Sequence, residues 1–240
     1  GDHRDLHKAI RRQRQMCIRD SFDDALARAV TWLAFWDMTR DGEFPAERFV
    51  DMTLRLLATE TESTTFRYAL ACMGTPAHHY VAPARRDDVL RHVAAELWTL
   101  ANAAAAGSDT QFQLATAYLG YGEEGDAAFA ANAHGLLDGT VRLEGLEIDN
   151  NFTWTIVQAL TSVNEMTNDD VDAQLAKKET TENREFAYGA RASMATTQAK
   201  EWAWDQALHN DELTNSQLGE VARGFSGTHD ADLADGYVDA

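Results

Sequence analysis

Proline is scarce in this sequence of 240 residues, occurring as Pro45, Pro76 and Pro83, and cysteine occurs as Cys17 and Cys72. So few prolines leave long stretches in which nothing interrupts an α-helix. The two cysteines lack the spacing of a metal site and are too few for a disulfide scaffold. They fit a reducing compartment, so a cytoplasmic location is expected.

Long apolar runs are missing as well. No stretch approaches the roughly 18–20 residues of a membrane helix, and no segment reads as a signal peptide. The net charge is −18, which argues against nucleic acids and anionic membranes as partners because both are polyanions. Because 45% of the residues are hydrophobic, a folded core is expected rather than disorder.

The first twenty residues differ in charge from the rest. They carry six basic and three acidic side chains, whereas residues 21–240 carry 15 basic and 36 acidic ones. A basic arm that binds nucleic acid and a solvated charged terminus are two readings of this segment. The string RQRQMCIRDS (residues 12–21) instead resembles a translated sequencing adapter. We therefore predict that residues 1–20 are a non-native, disordered extension and that residues 21–240 form one domain.

From Ser21 onward, apolar residues recur at helical spacing and turn residues separate short segments. The first predicted helix ends at Asp41-Gly42, and its apolar stripe is predicted to be Phe22, Leu26, Ala29, Val30, Leu33 and Trp36. Capping-box spacing marks four helix starts, at Ser21/Asp24, Ser108/Gln111, Thr167/Asp170 and Thr214/Gln217. The third helical segment is predicted to be interrupted at Gly74 and Pro76. The predicted fold is all-α, an irregular α-solenoid of HEAT-like stacked antiparallel helix pairs, with a globular helical bundle as the alternative.

The segment Gly120–Gly125 has the letters of a G-x-G-x-x-G dinucleotide motif. Such a motif has to follow a strand and open a helix, so that backbone amides meet the pyrophosphate. Here it follows a helical pattern, and its two glutamates would repel phosphate. A turn between helices is the better interpretation.

Histidine could ligate a metal, and eight are present: His3, His7, His78, His79, His92, His134, His209 and His229. None is followed by Glu, so the zinc motif H-E-x-x-H cannot occur. His92 and Glu96 lie one helical turn apart, but a pair without a third ligand is more often a surface contact. Cys72 has no evident activating partner. The sequence therefore predicts no catalytic, cofactor-binding or metal-binding residue in this chain.

Several phrases, in order, resemble the C-terminal helical domain of bacterial aminopeptidase N, in the gluzincin zinc metallopeptidase family. The longest is WLAFWDMTRDGE (residues 32–43), followed by the junction Tyr80–Pro83 with Arg86 and by GSDTQ (residues 107–111). A phrase at residues 191–202 resembles the family pattern R-A-x-P-T-x-x-A-K-x-x-W, with Ala195 in place of Pro. Another resembles the family at Phe152-Thr153-Trp154, where Thr153 replaces an expected Arg.

The resemblance covers about residues 22–239 and implies a fragment truncated at both ends. It implies that the parent enzyme removes N-terminal residues from peptides with a zinc ion that this chain does not hold. The implied role of the helical domain is to enclose the peptide chamber and limit substrate size, with the catalytic domain of the same polypeptide and peptide substrates as partners. The alternative function is a stand-alone helical-repeat scaffold for protein–protein interaction.

Overall fold

The computed structural model describes residues 24–227, 233 and 235–237, and in this part of the chain the secondary structure is entirely helical. The α-helices are, in chain order, α1 (Ala25–Arg40), α2 (Ala46–Leu57), α3 (Ser63–Thr75), α4 (Pro83–Ala103), α5 (Asp109–Leu119), α6 (Ala127–Asp138), α7 (Asn150–Ser162), α8 (Asn168–Lys177), α9 (Thr181–Ser193), α10 (Thr197–His209) and α11 (Asn215–Phe225). A π-helical turn (Pro76–Tyr80) follows α3, and a 3₁₀ turn (Asp235–Tyr237) follows α11. The helices pack against one another, so the prediction of an all-α helical-repeat domain is confirmed.

The chain divides into two compact units, with the division inside α4 between Val89 and Leu90. The assignment of residues 21–240 to one domain stays a prediction. The extension predicted for residues 1–20 lies outside the described residues. No helix in the described part of the chain combines the length and the apolar character needed to cross a membrane.

In the first unit, α1, α2 and α3 pack together around an aromatic core. Trp32 of α1 and Phe49 of α2 are buried, with ring centroids 5.3 Å apart. The indole Nε1 of Trp32 donates a 3.2 Å hydrogen bond to Thr53 Oγ1, which satisfies the polar atom of this buried ring.

The face of α1 that is buried differs from the predicted stripe. Trp32 and Phe35 are buried, whereas Leu26 is 70% and Val30 57% exposed. Phe22, also assigned to the stripe, lies outside the described residues. The other three positions of the stripe are half-buried, and the ring of one of them, Trp36, lies 5.7 Å from the ring of Phe49, so the stripe was wrong at Leu26 and Val30 only. Periodicity shows that α1 has apolar positions all round but not which of them meet α2 and α3.

The interruption predicted at Gly74 and Pro76 occurs at Pro76 and not at Gly74. The helix α3 continues through Gly74 to Thr75, and Pro76 then begins the π-helical turn. This turn closes with a 3.0 Å hydrogen bond from the Val81 N–H to the Pro76 carbonyl, five residues earlier. A proline is tolerated at this position because its carbonyl accepts the bond, so the N–H that proline lacks is not needed for it.

In the second unit, α9 is the central helix, and it packs against α7, α8, α10 and α11. The approach of α11 to α9 is very close, because a side chain on Gly224 would collide with the Gly189 carbonyl and with Ala192. In the interface between α7 and α9, the buried hydroxyls of Thr161 and Ser193 lie 2.7 Å apart.

Most of the predicted helix starts are confirmed. Thr167/Asp170 and Thr214/Gln217 form reciprocal capping boxes. Ser108 caps α5, but the Gln111 side chain accepts from the Gly107 N–H rather than from Ser108. At α1 the N-cap is Asp24, whose carboxylate accepts from the Leu26 N–H, so Asp24 is not the third residue of a box opened by Ser21. The first helix ends as predicted, with Gly42 in the left-handed region (φ 73°).

Candidate functional site

The histidines do not assemble into a metal centre in the part of the chain that the structure describes. His92 and Glu96 are both exposed on α4, His79 is exposed, and His78 is buried in the π-helical turn. His134 Nε2 lies 3.6 Å from one carboxylate, that of Glu165. His3, His7 and His229 lie outside the described residues. No three His, Cys, Asp or Glu side chains among the described residues come close enough to hold a metal ion.

Cys72 does not have the surroundings of a nucleophile. Its side chain is buried in the first unit, and burial raises the pKa of the thiol. A hydrogen bond with the Tyr68 hydroxyl lowers that pKa by less than burial raises it. The thiol therefore stays protonated and unreactive at neutral pH. Cys17 lies outside the described residues.

The segment Gly120–Gly125 connects α5 to α6, so its interpretation as a turn between helices is confirmed. The α6 N-terminus is capped by Asp126, whose Oδ1 accepts from Ala128 N and Phe129 N at 3.0 and 3.1 Å. A carboxylate at this place fills the position that a phosphate would need.

A cleft of about 500 Å³ lies in the second unit, where α8, α9 and α10 meet. Each helix contributes residues spaced by three or four positions, which places them on one face of that helix. The residues that determine its chemistry are Asp172 of α8, Tyr188 and Arg191 of α9, and Gln198, Trp202 and Gln206 of α10. We call this surface the α8–α10 cleft.

Two pairs of side chains organise the α8–α10 cleft. Arg191 Nη2 donates to Asp172 Oδ1, with the Arg191 side chain 25% and the Asp172 side chain 63% exposed. The rings of Tyr188 and Trp202 are stacked, with centroids 5.9 Å apart and planes 22° from parallel. Both aromatic residues also pack on the buried Ala192, Ala203 and Val221, so the core holds them in place.

Lys200 of α10, which follows the cleft-lining Ala199, is completely buried. Lys200 Nζ donates to the carbonyl of Ala192 at 3.0 Å and to the carbonyl of Gly224 at 3.2 Å. These carbonyls lie in the last turns of α9 and α11, where backbone acceptors lack helical partners and where the helix dipole favours a cation. Lys200 therefore joins the C-terminal ends of two helices that flank its own.

The sequence did not predict the α8–α10 cleft. Arg191 and Trp202 belong to the family pattern at residues 191–202, whereas Asp172 and Tyr188 belong to no motif of the sequence. Nothing in local spacing could relate them, because Asp172 is 19 positions from Arg191 along the chain and reaches it through the packing of α8 on α9.

Comparison with known proteins identifies the family. The model of the ERAP1-like C-terminal domain matches residues 2–239. The chain belongs to this family. The match to the ERAP1-like C-terminal domain starts at residue 2 and thus includes the segment that the sequence analysis set apart, whose non-native origin stays a prediction.

One relative is aminopeptidase N of Streptomyces lividans, to which the chain is 29% identical over 218 residues. The aligned region is 91% of this chain but 25% of that protein. The chain thus spans about a quarter of the length of this relative, and the resemblance to an aminopeptidase N C-terminal domain is confirmed.

Proposed function

We propose that this chain is the C-terminal helical part of a zinc aminopeptidase, and that it encloses the peptide chamber and limits the size of the substrates. The observation that supports this most directly is the family match along residues 2–239, together with the identity to a quarter of an aminopeptidase N. Zinc and the peptide-bond chemistry then belong to the catalytic domain of the same polypeptide. The proposal also places the enzyme in the cytoplasm.

The described residues support a wall rather than a reaction centre. They hold no trio of metal-ligating side chains, and their cysteine is buried and protonated. In this proposal the helices form part of the wall of the chamber, which excludes folded proteins and admits short peptides. The alternative of a stand-alone scaffold is not favoured, because the matched family is the C-terminal domain of larger aminopeptidases.

The test is a chimera in which residues 22–239 replace the corresponding domain of a related aminopeptidase. We expect the chimera to cleave tetrapeptides at a rate comparable with the parent and to leave the N-terminus of a folded protein intact. The parent with its own domain and the catalytic half alone are the controls. If the chimera trims a folded protein as readily as a tetrapeptide, the size-limiting role is wrong.

The location of the chemistry is tested on this chain alone. We expect no stoichiometric zinc by elemental analysis and no release of leucine from a leucyl-anilide substrate. Stoichiometric zinc or release of leucine would place part of the reaction in these residues and contradict the proposal that the catalytic domain lies elsewhere.

A further inference from the structure

We infer that the α8–α10 cleft binds the cationic side chain of a peptide, an arginine or a lysine. The site would be formed by the carboxylate of Asp172, the stacked rings of Tyr188 and Trp202, and the amide groups of Gln198 and Gln206. A volume of about 500 Å³ is large enough for one long side chain with the backbone on either side of it. Binding there needs only residues of this chain, whatever the parent enzyme does with the domain.

The ion pair in the cleft leaves its carboxylate able to accept more hydrogen bonds. Arg191 donates to Oδ1 of Asp172, and an ionised carboxylate offers about four acceptor positions on its two oxygens. Asp172 is also the more exposed partner, with its side chain 63% accessible against 25% for Arg191. A ligand entering from solvent therefore meets a negative group before it meets the guanidinium.

The aromatic pair favours the same class of ligand. A guanidinium or ammonium group near the face of Trp or Tyr is attracted by the negative potential of the ring, most strongly for Trp. The aliphatic stem of the ligand side chain can lie on the ring at the same time. The side-chain oxygens of Gln198 and Gln206 can accept the remaining N–H groups, since they belong to the same face of α10 as Trp202.

An anionic ligand fits this cleft less well. An anion would meet Asp172, the more exposed partner of the ion pair, before it reached the guanidinium of Arg191, and it would approach a chain whose net charge is −18. The long-range field of such a chain concentrates cations at its surface and repels anions, and salt screens both effects. A cationic side chain is favoured by the field and by the contacts within the cleft.

The experiment measures binding of three tetrapeptides to the full chain at low ionic strength. The peptides are acetylated and amidated, so that neither end is charged, and they differ at one position, which is Arg, Gln or Glu. We expect the Arg peptide to bind at least about fivefold more tightly than the Glu peptide, as one ion pair of modest strength provides. Two-dimensional NMR of the tryptophan indoles should show the Trp202 signal shifting most, with that signal assigned by its loss in Trp202→Phe.

Matched variants separate the cleft from the general field. Asp172→Asn should weaken binding of the Arg peptide about fivefold. It should strengthen binding of the Glu peptide, because Arg191 loses its charged partner. Asp169→Asn removes the same charge from the same helix at an exposed position that does not line the cleft, and it should leave both affinities nearly unchanged. Circular dichroism of each variant shows whether it is folded.

Three results would overturn the inference. The first is equal affinity for the Arg and Glu peptides in the unmodified chain. The second is an equal loss in Asp172→Asn and Asp169→Asn, which would mean that only the overall field acts. The third is a peptide-induced shift that is larger at another tryptophan than at Trp202, which is measured on the unmodified chain and does not depend on the folding of any Asp172 variant.

Discussion

Lys200 Nζ lies 3.2 Å from the Gly224 carbonyl and 3.0 Å from the Ala192 carbonyl, with no part of the lysine exposed to solvent. The two helices that carry these carbonyls, α9 and α11, approach so closely that Gly224 has no room for a side chain. Lys200 and Gly224 thus stabilise one junction, the lysine by its charge at the helix ends and the glycine by its small size.

Replacing Lys200 by Met should destabilise the chain by about 1–3 kcal/mol, because buried carbonyls then lose a charged donor. Chemical denaturation measures the free energy of unfolding. Lys177→Met is the control, since Lys177 is exposed in the last turn of α8. An equal effect of the two substitutions would mean that the buried lysine contributes no more than a surface one.

Acid should destabilise the first unit through Glu60. This buried carboxylate accepts from Arg28 at 3.0 and 2.8 Å and from the N–H groups of Thr61 and Glu62, and the Arg28 hydrogen bond is the main cause that lowers its pKa from 4.5. Because the folded pKa is the lower one, the unfolded chain takes up the proton first. The stabilisation is therefore present above about pH 4.5 and is lost as the pH falls through the folded pKa.

The variant Glu60→Gln tests this directly. At neutral pH it should unfold more easily by about 1–2 kcal/mol, and the difference from the unmodified chain should shrink as the pH falls below 4.5. The exposed Glu147→Gln serves as the control. The neighbouring Glu62, which caps α3 and whose pKa is lowered to about 2 by the Thr65 and Thr64 N–H groups, remains in both proteins. A difference that is constant with pH would contradict the assignment to Glu60.

The buried face of α1 can be tested by comparing substitutions on its two sides. Leu26→Gln and Val30→Gln should change the free energy of unfolding by less than about 0.5 kcal/mol, because both positions are exposed. Trp32→Ala should lower the free energy of unfolding by about 3–5 kcal/mol, which at this chain length lowers the thermal midpoint by roughly 6–20 °C. A larger effect at Leu26 than at Trp32 would mean that the sequence stripe, and not the structure, has the right face.

Ala195 stands where the family pattern has proline, and its N–H is used. It donates to Asn164 Oδ1 at 3.1 Å, and Asn164 Nδ2 donates back to the Ala195 carbonyl at 3.2 Å. Ala195→Pro should therefore destabilise the chain, by up to about 1 kcal/mol, through loss of this bond. The preceding Met194 is already extended (ψ 132°), so proline meets no conflict there.

The matched background for this substitution is Asn164→Gly. Asn164 has a φ of 57°, which glycine accepts easily, and the change removes the same pair of hydrogen bonds. In that background Ala195→Pro should be neutral or stabilising, because proline reduces the freedom of the unfolded chain. An undiminished cost would show that the hydrogen bond is not the cause. Thermal unfolding of the two single variants and the double variant measures this.

Residues 1–20 should contribute nothing to folding, as their charge and adapter-like string predict. A chain that starts at Ser21 should keep its thermal midpoint to within about 4 °C of the full chain. A larger drop would mean that the segment packs against the domain. The same result would remove the basis for calling it non-native.

The sequence by itself determined the helices of this protein. Caps such as Thr167 and Thr214, the glycine after α1 and the scarcity of proline are local signals, and each acts within about one helical turn. They predicted three of the four helix starts marked by capping-box spacing, the end of α1, the turn at Gly120–Gly125 and, through phrases in order, the family. Only the packing decided which face of α1 is buried, because periodicity leaves the partner helix unknown.

The tertiary structure also decided the candidate site. Asp172 and Arg191 meet because α8 packs against α9, and Lys200 and Gly224 meet because α10 packs against α11. No rule of spacing joins residues 19 or 24 positions apart. A helix propagates its order through bonds between near neighbours, so its signals can be read along the chain. Burial and ion pairs depend on which surfaces meet in space, and that is set by the summed packing of all the helices.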